Sequence, residues 1–281
     1  MADARAREPT TGLTDMSPYR FTPGDAPILM SIPHVGTAIP ADIEARMTER
    51  AVARPDTDWH LDRLYDFANE QGIPTLQAVW SRYVVDLNRP PDDAPLYPGQ
   101  TGTGLMPVED FDGAPLYRSG EEPDDDEKLE RLQGYWLPYH QRLERELASI
   151  HKKHGIAILF ECHSIVNEVP RLFDGTLPDF NLGTSAGGAC DVGLRFRLAE
   201  ALSEDEQYRL VVDGRFKGGF ITRHYGDPDN RINAFQLELS IATYGQQEAP
   251  WAYLPEKAAE VRPSLRRMLE AALTWAAEQS P

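Results

Sequence analysis

Short runs dominated by apolar residues punctuate this chain at 26–32, 75–80, 83–87, 156–160, 209–212 and 234–239, each bounded by Pro, Gly or charged residues. Runs of this length are what buried strands leave in a sequence. Between them the apolar spacing turns helical. Over 58–68 it places Trp59, Leu61, Leu64, Tyr65 and Ala68 on one stripe, with Asp58 where a cap is expected and Gly72 beyond the end. A longer stripe joins Leu129, Leu132, Tyr135, Trp136, Tyr139, Leu143, Leu147 and Ile150; an acidic run at 124–127 precedes it, which suits a helix N-terminus, and Gly155 closes it. Further helices are predicted over 191–202 and 256–278. Strands alternating with helices predict an α/β fold with a central mixed, mostly parallel sheet flanked by helices. Residues 1–25 are polar and irregular and are expected to form an N-terminal arm, leaving 26–281 as a single domain.

Charge narrows the function. The 281 residues include 28 Lys and Arg against 45 Asp and Glu, a formal net charge of −17. That balance speaks against nucleic acid and against anionic membranes, both of which need a surplus of basic side chains. If the substrate is an anion, its positive partners must be concentrated locally. The two cysteines, Cys162 and Cys190, are too few for a disulfide framework. No run approaches the ~20 apolar residues of a membrane span, and the first fifteen residues lack the apolar core of a secretory signal. The expectation is a soluble, cytoplasmic protein. Residues 90–126, rich in Pro, Gly and Asp, are expected to be a loop that lines or covers a pocket.

Open α/β sheets bind ligands beyond the carboxyl ends of their strands, and three chemically interesting segments fall there. In Ser31-Ile32-Pro33-His34-Val35-Gly36, His34 is either a surface or capping residue or a ligand beside a glycine that permits close approach. In Glu161-Cys162-His163-Ser164, a charged pair follows five apolar residues, and burying it is costly unless the two are paired or bound to metal. Glu161 reads as a carboxylate orienting His163, which is compatible with either role for the histidine. Glu238 lies on the same face of its strand as Gln236, either wetted at a sheet edge or poised as a general base. Asp58 and His60 add a carboxylate and an imidazole. Arg82, Asn88-Arg89 and Arg223 stand next to strand ends or glycines, where arginines can grip carboxylates bidentately or simply pair with an acid. No Walker A loop, dinucleotide fingerprint or His-x-x-x-His spacing occurs among these residues.

Taken in order, residues 31–36, the Asp58 segment, 82–89, 161–164, 218–223 and 236–238 resemble the N-formylglutamate amidohydrolase family, over roughly residues 26–245. The resemblance implies a fold similar to that of zinc carboxypeptidases and hydrolysis of N-formyl-L-glutamate to formate and L-glutamate, late in histidine breakdown. It implies that His34, Asp58 and His163 bind a divalent metal, zinc by expectation, with His60 as the alternative third ligand. It makes Glu238 the carboxylate that activates water, Asn88 and Arg89 a pair that holds a substrate carboxylate, and Arg82 or Arg223 the holder of a second. The small-molecule partner is then a dicarboxylate. Zinc suits formamide hydrolysis because it lowers the pKa of coordinated water to about 7. Asn233 and Gly245 depart from the family's usual residues. Three other readings stay open: a different N-acyl amino acid as substrate, a metal-free binding protein, and Cys162 as a thiol nucleophile.

Overall fold

The computed structural model describes residues 16–96 and 102–279. Seven strands form one sheet: β1 (Tyr19–Thr22), β2 (Ile28–Ile32), β3 (Thr75–Ala78), β4 (Ala157–Ile165), β5 (Phe180–Gly183), β6 (Leu210–Val212) and β7 (Ile232–Ser240). Their order is β1-β3-β2-β4-β7-β5-β6. The pairings β3–β2, β2–β4, β4–β7 and β5–β6 are parallel, whereas β1 and β5 run antiparallel to β3 and β7. The sheet is therefore mixed and mostly parallel, as predicted. Eight α-helices accompany it among the described residues: α1 (Ala41–Glu44), α2 (Glu49–Val52), α3 (Leu61–Leu64), α4 (Asp125–Arg131), α5 (Leu137–His154), α6 (Val192–Ser203), α7 (Phe220–Tyr225) and α8 (Pro255–Glu278). None is long and apolar enough to cross a membrane.

The central strands have two apolar faces and therefore two cores. Ile158, Phe160 and Cys162 of β4, with Phe235, Leu237 and Leu239 of β7, pack in one layer with residues of α3, α6 and α8. Leu29, Ala157, Leu159 and Ala234 point the other way, into a layer with Tyr139, Leu143 and Leu147 of α5. Side chains alternate along a strand, so the next residues on the α5 side are Ser31 of β2, Glu161 and His163 of β4, and Gln236 and Glu238 of β7. The same face that is apolar at the amino ends turns polar at the carboxyl ends.

Local signals fare well where a cap is present. Asp124 caps α4 by accepting from the Glu127 N–H at 2.9 Å, and Asp191 caps α6 with bonds from the Gly193 and Leu194 amides. Gly155 ends α5 in the left-handed region, at φ 69°, which costs glycine least. Between α4 and α5, residues Leu132–Trp136 form one π-helical turn.

Three expectations need correction. The apolar run 83–87 is not a strand but a buried turn segment. Val84 N–H closes a turn on the Ser81 carbonyl, and the carbonyls of Val84 and Leu87 are taken by the side chains of Arg131 and His140. The helix expected from Asp58 starts only at Leu61, because His60 stands in the left-handed region at φ 63°. Asp58 does not cap it; its carboxylate accepts from Ser164 N–H instead. Within the expected N-terminal arm, Tyr19–Thr22 form edge strand β1, whose backbone pairs with β3. Residues 1–15 of that arm lie outside the described residues.

Candidate active site

Parallel pairing of β4 with β7 sets His163 opposite Glu238 and Glu161 opposite Gln236. On the other side of β4, β2 runs parallel and delivers His34 two residues past its end. The backbone of Asp58 docks there, its N–H donating to the His34 carbonyl at 3.1 Å. These contacts gather His34, Asp58 and His163 into one buried group whose ligand-type atoms all lie within 4.8 Å of one another. Asp58 Oδ2 is 3.0 Å from His163 Nδ1 and 3.7 Å from His34 Nδ1. His60, the alternative ligand, is turned away, its Nε2 2.8 Å from the Trp251 carbonyl.

The outer nitrogens of both rings are held by carboxylates. His34 Nε2 meets Asp86 Oδ1 at 2.7 Å, and His163 Nε2 meets Glu161 Oε1 at 2.7 Å. This leaves the two Nδ1 atoms facing Asp58. His34 Nδ1 is buried and has no hydrogen-bond partner among the described residues, an expense a folded protein avoids unless another group satisfies it. Two imidazoles and one carboxylate, oriented by outer carboxylates and open to a cavity, are a donor set that could hold a divalent metal. The residues fit a metal.

Each outer carboxylate is itself anchored. Arg82 Nη2 donates to Asp86 Oδ2 at 2.5 Å, and the Asn88 N–H to Asp86 Oδ1 at 2.9 Å. Glu161 Oε2 accepts from the Thr222 hydroxyl at 2.5 Å and from the Thr222 N–H at 3.1 Å, in α7. Burial alone would raise the Asp58 and Asp86 carboxyls. The hydrogen bond from His163 and the neighbouring His34 imidazole instead hold Asp58 below the usual range, and Arg82 with His34 does the same for Asp86. Burial opposes charge on His163 as well, but Glu161 and Asp58 outweigh it and raise its pKa. Glu238 sits in an interior strand, so the wet-edge reading fails, and burial pushes its carboxyl up to about 8 despite the nearby His163.

One cavity is lined by His34, Asp58, His163 and Glu238 together with Arg82, Asn88 and Arg89. The Arg82 guanidinium lies 4.7 Å from the Phe111 ring centroid, and its buried Nε has no partner in the described protein. Arg89 donates through Nε to the Thr103 carbonyl at 2.7 Å. Leu96, Gly102, Thr103 and Phe111 of the long loop contribute to the wall, as expected for 90–126; residues 97–101 lie outside the described residues. Asn88 Oδ1 accepts from the Ile221 N–H at 2.9 Å, and Gly219 makes room for that amide: a Cβ there would lie 2.2 Å from Asn88 Nδ2.

Arg223 is not among the described residues that line this cavity; its Nε donates to the Gly218 carbonyl at 2.9 Å and its Nη1 to the Leu96 carbonyl at 3.2 Å. Arg215 lines the cavity instead, and no motif in the sequence singled it out. Asp86 was missed for a different reason, though an Asp inside the apolar run 83–87 was a usable signal. Cys162 faces the opposite core, and burial pushes its thiol well up, which removes it as a nucleophile. Asn233 accepts from the Asp191 N–H at 2.7 Å, away from the cavity lining.

A model of the N-formylglutamate amidohydrolase family matches residues 26–245. The N-formylglutamate deformylase of Pseudomonas aeruginosa is 50% identical over 259 residues, covering 92% of this chain and 97% of that protein. The N-formylglutamate deformylase of Pseudomonas putida is 46% identical over 259 residues with the same coverage. Among solved structures, an N-formylglutamate amidohydrolase from Ralstonia eutropha JMP134 superimposes with a TM-score of 0.79 at 25% identity, covering 94% of this chain and 98% of that one. A protein from Agrobacterium tumefaciens shares the fold, with a TM-score of 0.68 at 15% identity over 94% of this chain and 97% of its own.

Proposed function

The chain belongs to the N-formylglutamate amidohydrolase family, and from that premise we propose that it hydrolyses N-formyl-L-glutamate to formate and L-glutamate with a divalent metal, zinc, held by His34, Asp58 and His163. The observation that carries this reading is the unpartnered His34 Nδ1 aimed at Asp58 beside His163. Bound there, such a cation supplies Lewis acidity and makes water a nucleophile at neutral pH.

The chain's own residues do the rest. Glu238, on the cavity wall and next to His163 in register, takes a proton from the attacking water. Water oxygen bonds to the formyl carbon, the carbon–nitrogen bond breaks, and the proton passes to the leaving amine nitrogen. A pKa near neutrality serves both halves of that transfer, and burial has already moved Glu238 towards it. Arg89, beside Asn88, receives one substrate carboxylate. Arg82 and Arg215 are the cations for the second carboxylate or the developing oxyanion. The small-molecule partner is thus a dicarboxylate bound inside an otherwise acidic protein.

Formate release from N-formyl-L-glutamate, measured on purified, chelated and metal-restored protein, tests the reading. Activity should disappear on chelation and return with zinc. Full activity in protein holding less than about a tenth of a metal ion per chain would overturn it. Selectivity supplies a second test. A charge-assisted contact contributes about 1.5–3 kcal/mol, so N-formyl-L-methionine, with one carboxylate fewer, should react roughly 10- to 150-fold less efficiently in kcat/KM. Arg82→Ala or Arg215→Ala should narrow that gap; equal rates in the wild type would remove the dicarboxylate pocket.

A further inference from the structure

The segment that carries Asp86, Asn88 and Arg89 has no strand ladder to hold it, and its backbone is instead held by side chains from one helical edge. Arg131 Nη1 donates to the Val84 carbonyl at 3.1 Å, His140 Nε2 to the Leu87 carbonyl at 2.8 Å, and Trp136 Nε1 to the Arg89 carbonyl at 3.0 Å. These residues stand at the end of α4, the end of the π-helical turn and the first turn of α5. Trp136 and His140 are also stacked, with ring centroids 3.7 Å apart at 21°. Phe220, the first residue of α7, packs against both rings. The Tyr225 hydroxyl lies 3.0 Å from His140 Nδ1; since Nε2–H donates to Leu87, Nδ1 is the acceptor in that pair.

We propose that Trp136 and His140 are positioning residues of this enzyme: their stacked pair sets the main chain on either side of Asn88, and so fixes where Arg89 receives the substrate carboxylate. The proposal rests on the reaction assigned above. Neither residue lines the cavity, so neither touches substrate. Their donors grip the carbonyls of Leu87 and Arg89, which flank Asn88. A displacement of even about 1 Å at a substrate-positioning group costs large factors in rate or binding. A π-helical turn is a local irregularity often found near functional sites, and here it ends on Trp136 itself.

The two donors separate from mere packing by choice of variant. Trp136→Phe keeps an aromatic ring for the stack and removes the donor to Arg89. His140→Phe keeps a ring and removes the donor to Leu87, whereas His140→Gln keeps an N–H donor without the ring. With holoenzyme, Trp136→Phe and His140→Phe should each raise KM for N-formyl-L-glutamate about tenfold while kcat stays within about threefold and bound metal is unchanged. His140→Gln should restore KM to within about threefold of wild type. Hydrogen exchange adds a readout that needs no substrate: amides of residues 84–90 should exchange faster in Trp136→Phe. Wild-type KM and wild-type exchange in Trp136→Phe would overturn the proposal, even if His140→Phe failed to fold. So would a His140→Gln protein as defective as His140→Phe. A wild-type enzyme that released no formate would instead overturn the assigned reaction, while the exchange arm still reported on the brace.

Discussion

Glu238 and His163 stand side by side on neighbouring parallel strands, yet their expected substitutions separate cleanly. Glu238→Gln keeps the shape and removes the proton acceptor, so kcat should fall roughly 10²–10⁴-fold with metal content intact. Activity within a factor of three of wild type would assign the base elsewhere. His34→Ala or His163→Ala deletes one of the three proposed protein ligands, and elemental analysis should find the metal lost along with the activity. Asp86→Asn tests the layer behind them: it should weaken metal binding by about 10–100-fold without removing a ligand, because it disturbs the partner of His34 Nε2. The residues that could be read from the sequence share one trait. His34, Glu161, His163 and Glu238 interrupt or end apolar runs, where an unpaired polar group would be expensive. Arg215 has no such contrast around it. Arg223 does stand near glycines, but those glycines lead its side chain to backbone carbonyls rather than to the cavity.

Elements were legible where the hydrophobic period was sustained, as in α5 and α8, where a cap marked the start, as in α6, and where an apolar run was bounded, as in strands β4 and β7. The 83–87 segment was not, since a fully buried turn and a fully buried strand leave the same apolar run; only the tertiary partners of its carbonyls distinguish them. Edge strand β1 was not either, because its burial alternates only between half-buried and exposed. Two predictions belong to this scale. At the start of α7, Gly219→Ala places a Cβ against the Asn88 amide, so it should impair catalysis by displacing Asn88 while leaving metal content unchanged, measured by kinetics beside elemental analysis. In α5, burial lowers the pKa of His140 to about 3, with the Leu87 carbonyl opposing and His224 assisting. The unfolded chain then takes up this proton first as the pH falls. Stability from this site is therefore complete above about pH 6.5 and is lost progressively from there towards pH 3. Between pH 7 and pH 5 the wild type should lose on the order of 2 kcal/mol more than His140→Gln in urea unfolding. Equal losses would place the titration elsewhere.

At the scale of the whole molecule, the candidate metal site joins parts of the chain that are far apart in sequence: the end of β2, the 57–59 segment and strand β4. A cation held there acts on the stability of the entire fold. At about 100-fold excess over its Kd a ligand specific to the native state contributes about 2.7 kcal/mol. Chelation should therefore lower Tm by about 5 °C or more in calorimetry, and an unchanged Tm would detach the site from the fold's stability. The α/β architecture was legible as a whole because strands and helices alternate along the chain, whereas the antiparallel turn of β5 against β7 has no sequence signature. The alternation along β4 has a consequence for how genes of this kind can change length. Glu161 and His163 look towards the site while Cys162 looks into the opposite core. Deleting one codon between those for Ala157 and Phe160 would turn both catalytic-side residues into the apolar layer and swing the thiol outwards. Inside this strand a viable change in length has to come in twos or be matched by a bulge.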